Sequence, residues 1–479
     1  MRALAVGACV AAIALAAGAA VAQDWAAAAR QDLQAMQQTL KAEHPAPVVG
    51  RHAERFNAWI DAGLAETDAV AGRVNNPAAY AYALRHYANG FRDANIGVSP
   101  NWAPVDPWYA VTWPGFATAW KDGGYVVSFV KKGTRGAPPL GAKLIGCGTR
   151  TADEIAEERL DGFEGDLTQE ADRVTTAPFL LWDRGNSLIA NAPITCDFQV
   201  RNRKRTYNLT YAFGGDAERR EAYLASVPRP TGAPSLEAWN GGFWIKAPSF
   251  VEANGWGPFV QQVEAQRDAI RAAPVVVLDF RGASDGSATQ AYRLANYLWD
   301  PDFVLANSPQ VGNAVYRPTP ALRAYYLEVL GRQRQNELFF FAAQRTEALI
   351  REIDAALAAG QTTLQRNEAT PPPENVPANP MQGKVIVLTD SRCTGPCLDA
   401  MDLLTRLPNV VHAGATTGAD SIYVARSEAQ LPSGNARLYY GHKGWLDRPR
   451  GDKQPHKPAR AYTGDWADEA AVKAFVAGL

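Results

Sequence analysis

Residues 384–400 read KVIVLTDSRCTGPCLDA, an apolar run, then a polar turn bearing Gly and Pro, then the start of a helix. Val385, Ile386, Val387 and Leu388 show no alternation, the pattern of a strand buried on both faces. Residues 398–404 predict a helix. The sharp strand-to-helix turn between them holds its apex clear of the sheet and aims the following backbone N–H groups at whatever docks there.

A second unit of the same kind lies upstream. Residues 273–279, APVVVLD, predict a buried strand that runs through Phe280-Arg281-Gly282-Ala283-Ser284-Asp285-Gly286-Ser287 into a helix carrying Tyr292 and Tyr297. With a shorter strand at 243–245, the two units predict an α/β core over 241–479. Between them, 318–360 reads as a helical insertion with the apolar stripe Leu349, Ile353 and Leu357. That stripe and the apolar run Leu338-Phe339-Phe340-Phe341 are read as packing of a lid or arm rather than a partner surface. The Pro-rich 366–383 then returns the chain as an extended linker.

The chain has 479 residues, 47% of them hydrophobic, enough for a sizeable core and two or three domains. Its 48 basic and 49 acidic residues nearly cancel, and no long run of either sign points to nucleic acid or an anionic membrane. Residues 1–22 carry one Arg, a short Ala-rich apolar run and a small-x-small end, the pattern of a cleaved signal peptide, so a secreted or periplasmic location is expected. No lasting membrane span is expected in the mature chain. Cys147, Cys196, Cys393 and Cys397 then form an even set in an oxidising compartment. The simplest pairing joins Cys147 to Cys196 and Cys393 to Cys397, the second needing a turn because residues four apart in a regular helix barely meet the geometry. Neither spacing suits a zinc site, and no metal or cofactor is expected.

Ahead of the core, helical spacing at Leu33, Met36 and Leu40, at Phe56, Ile60 and Leu64, and at Tyr80, Leu84, Tyr87 and Phe91 predicts a helical cap over 23–100. Residues 101–215 read as a β-rich domain, with strands at 125–130 and 140–146, a helix at 151–160 and a hairpin of 195–200 with 206–211. Residues 216–240 read as a linker.

Taken together, the 384–400 turn resembles the nucleophile turn of the tail-specific, or C-terminal processing, serine peptidases, whose relatives include the tricorn protease core and interphotoreceptor retinoid-binding protein. The family motif is Thr/Cys-Ala-Ser-Ala-x-x-Glu/Asp; laid on residues 393–399 it puts Gly395 at the nucleophile. The 279–286 segment resembles the Asp-Leu-Arg-Gly-Asn-x-Gly-Gly turn that supplies part of an oxyanion hole, keeping Gly282 and Gly286 but with Ala283 for Asn. Asp93-Ala94-Asn95 resembles the segment that carries a His base, with Asn95 in its place. Gly414-Ala415-Thr416-Thr417-Gly418 resembles the segment that carries a Lys base, with Thr416 in its place. Residues 431–434, LPSG, resemble a closing hairpin, and the domain 101–215, with 140–160 at its centre, resembles the PDZ-like domain that catches a substrate C-terminus.

The resemblance implies an α/β multidomain fold of helical cap, PDZ-like β domain and ClpP/crotonase-like core, and peptide-bond hydrolysis without a cofactor. The residues imply a degenerate, peptide- or protein-binding pseudopeptidase. Glycine offers no nucleophile, an amide accepts no proton near neutrality, and Pro396 has no N–H for an oxyanion. The alternative is an active peptidase with a displaced nucleophile, for which Cys397 and Thr394 are the candidates. His442, Lys443 and His456 are read as surface residues rather than displaced bases. The expected partner is a peptide or protein C-terminus.

Overall fold

The computed structural model describes residues 23–50, 53–101, 111–335 and 339–479. The signal segment read at 1–22 and Leu338 lie outside them. The architecture is multidomain α/β.

The core is built on a six-stranded sheet in the order Ser235–Trp239, Gly242–Lys246, Val275–Asp279, Lys384–Thr389, Val410–Gly414, Arg460–Ala461. The first two strands form an antiparallel hairpin and every later pair is parallel. Successive side chains of a strand point to opposite faces, which explains the unbroken apolar run at 385–388. Val385 and Val387 pack under the helices Trp256–Ala265, Ala288–Trp299 and Pro396–Leu404, while Ile386 and Leu388 pack against Val472 and Val476 of the C-terminal helix Glu469–Ala477.

A second sheet joins Gly97–Pro100, Ala436–Trp445, Asn313–Tyr316 and Leu364–Asn367, with Tyr423–Gln430 on the other side of Ala436–Trp445. The cap helices Trp25–Glu43, Glu54–Val70 and Pro77–Gly90 bury Leu33, Met36, Phe56, Ile60, Tyr80 and Leu84 against Leu438 and Tyr440 of this sheet. The inserted helices Pro320–Gln333 and Phe340–Ala358 bury Leu322, Leu349 and Ile353 against Ala314 and Tyr316. Phe339, Phe340 and Phe341 do not join that packing. They are exposed at the start of the second helix, one turn short of its first buried residue, Ala343.

The third sheet holds Phe116–Lys121, Gly124–Val130, Lys143–Cys147, Thr195–Val200 and Arg203–Asn208, with Arg150–Thr151 beside Lys143–Cys147. Cys147 and Cys196 are register partners and form a disulfide with Cα atoms 4.0 Å apart. The helix Ala152–Arg159 opens with a capping box, Thr151 and Glu154 satisfying each other's backbone N–H groups.

Several boundaries differ from the sequence expectation. The 216–240 linker contains a helix, Asp216–Ser226, and a strand, Ser235–Trp239. Pro228, Pro230, Gly232 and Pro234 dominate that window, but 217–224 is made of helix formers. The strand closes onto Gly242–Lys246 through Asn240-Gly241, both at positive φ (49° and 74°) as a two-residue hairpin requires. Arg366 and Asn367 belong to a strand rather than the Pro-rich linker. The strand expected at 140 begins at Lys143, and the hairpin's second strand begins at Arg203 rather than Thr206 because Arg201 at φ 54° makes a tight turn. Among the described residues no helix is long and apolar enough to cross a membrane.

Candidate functional site

The two strand-to-helix turns face each other at the C-terminal ends of adjacent parallel strands. Asp390 turns its carboxylate back into the gap, where Oδ1 accepts from the Gly282 and Arg392 N–H groups, each at 3.0 Å. The Thr394 N–H donates to the Ala283 carbonyl at 3.3 Å. Gly395 then caps the helix Pro396–Leu404 at φ 52°, ψ −117°, a conformation that side-chain-bearing residues rarely adopt. It is an exposed apex with room in front of it: a Cβ added there would meet nothing nearer than the Ser284 carbonyl oxygen, at 3.9 Å. Cys393 and Cys397, both fully buried, bridge beneath the apex with Cα atoms 5.2 Å apart. Cys397 is therefore not a free thiol, which removes it as a displaced nucleophile. Thr394 lies against Gly418, whose N–H donates to the Cys393 carbonyl at 3.0 Å.

The upstream turn is held by charge. Asp279 and Arg281, at 0% and 1% side-chain exposure, pair at 2.7 Å, and Glu469 joins them at 3.0 Å. Gly286 is pinned to the Phe250 backbone, and a Cβ there would sit 2.0 Å from the Phe250 carbonyl carbon. Gly282, at φ 84°, lies beneath Arg229 and Pro230 of the segment linking the β domain to the core. Of the three residues expected to shape an oxyanion hole, Gly282 donates its N–H to Asp390, Gly286 is packed on Phe250, and Pro396 has no N–H to donate.

Asn95 sits on a different wall. Its side-chain amide donates to the Tyr423 carbonyl at 2.7 Å, and its N–H donates to Asp93. Ser421 donates to Asp93 at 2.7 Å. Burial pushes the Asp93 carboxyl up to about 6, although Ser421 and the Asn95 N–H pull the other way. From here a polar network runs toward the Gly395 turn. Arg448 contacts Asp420 at 3.1 Å and Asp399 at 2.7 Å, and Asp399 is the fourth residue after Gly395. Arg450 contacts Asp420 and Asp402, and His456 bonds Asp402 at 2.9 Å. Burial raises Asp399 to about 6 despite Arg448. Burial also opposes ionisation of Asp402, but the His456 and Arg450 bonds outweigh it and hold its carboxyl below the usual range. Sequence reasoning missed this network, whose signals are Asp399 and Asp402 at helical spacing and the pair Arg448 and Arg450. Thr416 is half-buried in the 414–418 loop that borders Cys393 and Thr394.

The surface reading of His442 and Lys443 is overturned. His442 is buried, with Nδ1 on Ser427 at 2.9 Å and Nε2 on Tyr326 at 3.0 Å, and burial lowers its pKa to about 3. Lys443 forms an ion pair with Glu368. His456 is likewise part of the Asp402 network rather than a free surface group. In the β domain, the segment 177–182 packs against the strand Phe116–Lys121: Trp182 Nε1 donates to the Phe116 carbonyl at 3.2 Å, and Thr118 Oγ1 donates to the Ala177 carbonyl at 2.6 Å. Among the described residues no group of three or more His, Cys, Asp or Glu is placed to hold a metal ion.

No family model matches this sequence, and no curated protein matches it. Solved structures do. Mature CPAF matches at 12% identity over 95% of this chain and 96% of its own, with a TM-score of 0.60. Mature CPAF complexed with lactacystin matches at 14% identity over 95% and 97%, with a TM-score of 0.60. A serine-to-alanine mutant of CPAF matches at 13% identity over 94% and 95%, with a TM-score of 0.63. Likeness at that identity is one of fold, and it extends over nearly the whole chain.

Proposed function

We propose that this chain is an exported relative of the tail-specific peptidases that binds peptide or protein chains without cutting them. The observation that carries the reading is Gly395, an apex with the backbone of a nucleophile turn, space for a side chain, and none present. Two neighbouring features support it. Pro396 supplies no N–H, and the Gly282 N–H is engaged by Asp390, so a tetrahedral oxyanion formed above Gly395 would lack the donors such chemistry uses. Asn95, standing where the resemblance expects a His base, uses its amide to hold Tyr423. Two disulfides favour an oxidising compartment outside the cytoplasm.

Peptide capture by strand addition at Phe116–Lys121 would require displacing Trp182 and Ala177. A peptide in the cleft between the β domain and the core, lined by Trp120, Ser128, Asp390, Ser391 and Arg392, leaves those contacts in place. The test is incubation of the purified protein with a mixed peptide library, read by mass spectrometry for new termini and by affinity capture for retained peptides. Retained but uncut peptides are expected. New termini that disappear in Thr394→Ala would replace this reading with that of an active peptidase, and no retention at millimolar peptide would leave only a scaffolding role.

A further inference from the structure

Beside Arg392 of the central turn, a cavity of about 480 Å³ opens where the cap, the β domain and the second sheet meet. Its walls carry three guanidinium groups, Arg85 from the cap, Arg184 from the β domain and Arg392 from the central turn, against one carboxylate, Glu164. Glu164 is already engaged: it accepts from Tyr82 and from Arg85 at 3.2 Å and forms an ion pair with Arg184 at 2.6 Å, with its side chain 7% exposed. Arg392 differs from the other two. It has no carboxylate within ion-pair distance among the described residues, its Nη1 donates to the Tyr223 hydroxyl at 3.0 Å, and its buried Nε has no hydrogen-bond partner. Buried donors of a charged group left unpaired are costly and rare, and a planar guanidinium is the side chain best suited to grip a carboxylate or phosphoryl group with two N–H bonds. The volume suits a small ligand or the last residues of a chain.

We propose that this cavity binds an oxyanion, a carboxylate or phosphoryl group carried by a small molecule or by the end of a peptide, with Arg392 as its principal contact. Arg184 and Arg85, held in place by Glu164, supply a positive field around it, and Tyr223 orients the Arg392 fork. The proposal does not depend on the peptide-binding reading, because free anions test it alone.

The experiment is calorimetric titration of the full chain at low ionic strength, where charge contacts are least screened, with inorganic phosphate, with citrate, and with one peptide in its C-terminal acid and amide forms. At least one anion is expected to bind in the millimolar range or tighter. Arg392→Gln should weaken it roughly tenfold or more, as loss of a charge-assisted hydrogen bond implies. Arg332→Gln, a change to an exposed arginine on the inserted helix Pro320–Gln333, should leave it unchanged. Binding of the acid peptide alone, lost in the amide and in Arg392→Gln, assigns the oxyanion to a chain terminus, whereas binding of phosphate or citrate assigns it to a free anion. If Arg392→Gln does not fold by circular dichroism, Tyr223→Phe serves instead, with a smaller loss expected. No binding by any of the four probes, or equal binding by wild type and the variant, overturns the proposal.

Discussion

The turns after Val275–Asp279 and Lys384–Thr389 occupy matching places on adjacent parallel strands, yet they are held by opposite means. The first is fixed by charge taken out of water, Asp279 with Arg281, and by Gly286 pressed onto the Phe250 backbone. The second is fixed covalently, by Cys393 and Cys397, and leaves its apex at Gly395 exposed and bare. Asp390 ties the two together through the Gly282 N–H. The difference teaches that a turn's conformation and its chemistry are separable. A disulfide and a glycine preserve a strained backbone without any side chain there to react.

If charge holds the first turn, removing one partner should have the largest effect. Asp279→Ala strands a guanidinium that is 1% exposed, and breaking a buried pair in this way costs about 3–5 kcal/mol. Denaturant unfolding should show that loss as a lower midpoint, and a loss below about 1 kcal/mol would mean Glu469 alone suffices for Arg281.

The second turn should be less sensitive. The Cys393–Cys397 loop is short, so its chain-entropy contribution is about 2 kcal/mol. Cys393→Ser with Cys397→Ser is expected to lower the unfolding free energy by that amount and to raise amide exchange at 393–397 while the strand beneath stays protected. Equal loosening of the 280–287 turn would show that the two are mechanically one unit.

Asp390→Asn probes the tie between them and should have the smallest effect. Both bonds fall on Oδ1, so an amide oxygen can keep them. Burial raises the Asp390 carboxyl in the fold. The sign follows: a carboxyl whose pKa is higher folded than unfolded favours the folded state more as pH falls from neutrality through that raised value. Asp390→Asn should leave stability unchanged or slightly higher near pH 7.5 and remove this gain on acidification. Retention of the full wild-type pH slope would assign it to other groups, Asp93 among them.

The strands at 275–279 and 384–389 were legible because burial on both faces writes itself locally as an unbroken β-branched run. The cap helices were legible because apolar residues recur at helical spacing. The Cys pairs, too, follow from an even count once Cys393 and Cys397, four residues apart, are joined. What sequence reading missed is non-local. Ser421 meets Asp93 across 328 residues and Arg448 meets Asp399 across 49, and the local spacing of Asp399 with Asp402 or of Arg448 with Arg450 does not tell which distant residue each one meets. Phe339, Phe340 and Phe341 misled for the converse reason: their composition reads as core, but they precede the first buried turn of their helix and stand in water. His442 misled as an isolated polar residue, its partners Ser427 and Tyr326 being supplied by another strand and by the insertion.

The central claim is that the Gly395 turn keeps the backbone of a nucleophile elbow and no group that forms a covalent bond with substrate. Intact-mass measurement after incubation with an excess of a fluorophosphonate probe tests it most directly. The expected result is an unmodified mass for the wild-type protein. A single stoichiometric adduct that maps to Ser391 or Thr394 and disappears on heat denaturation would contradict it.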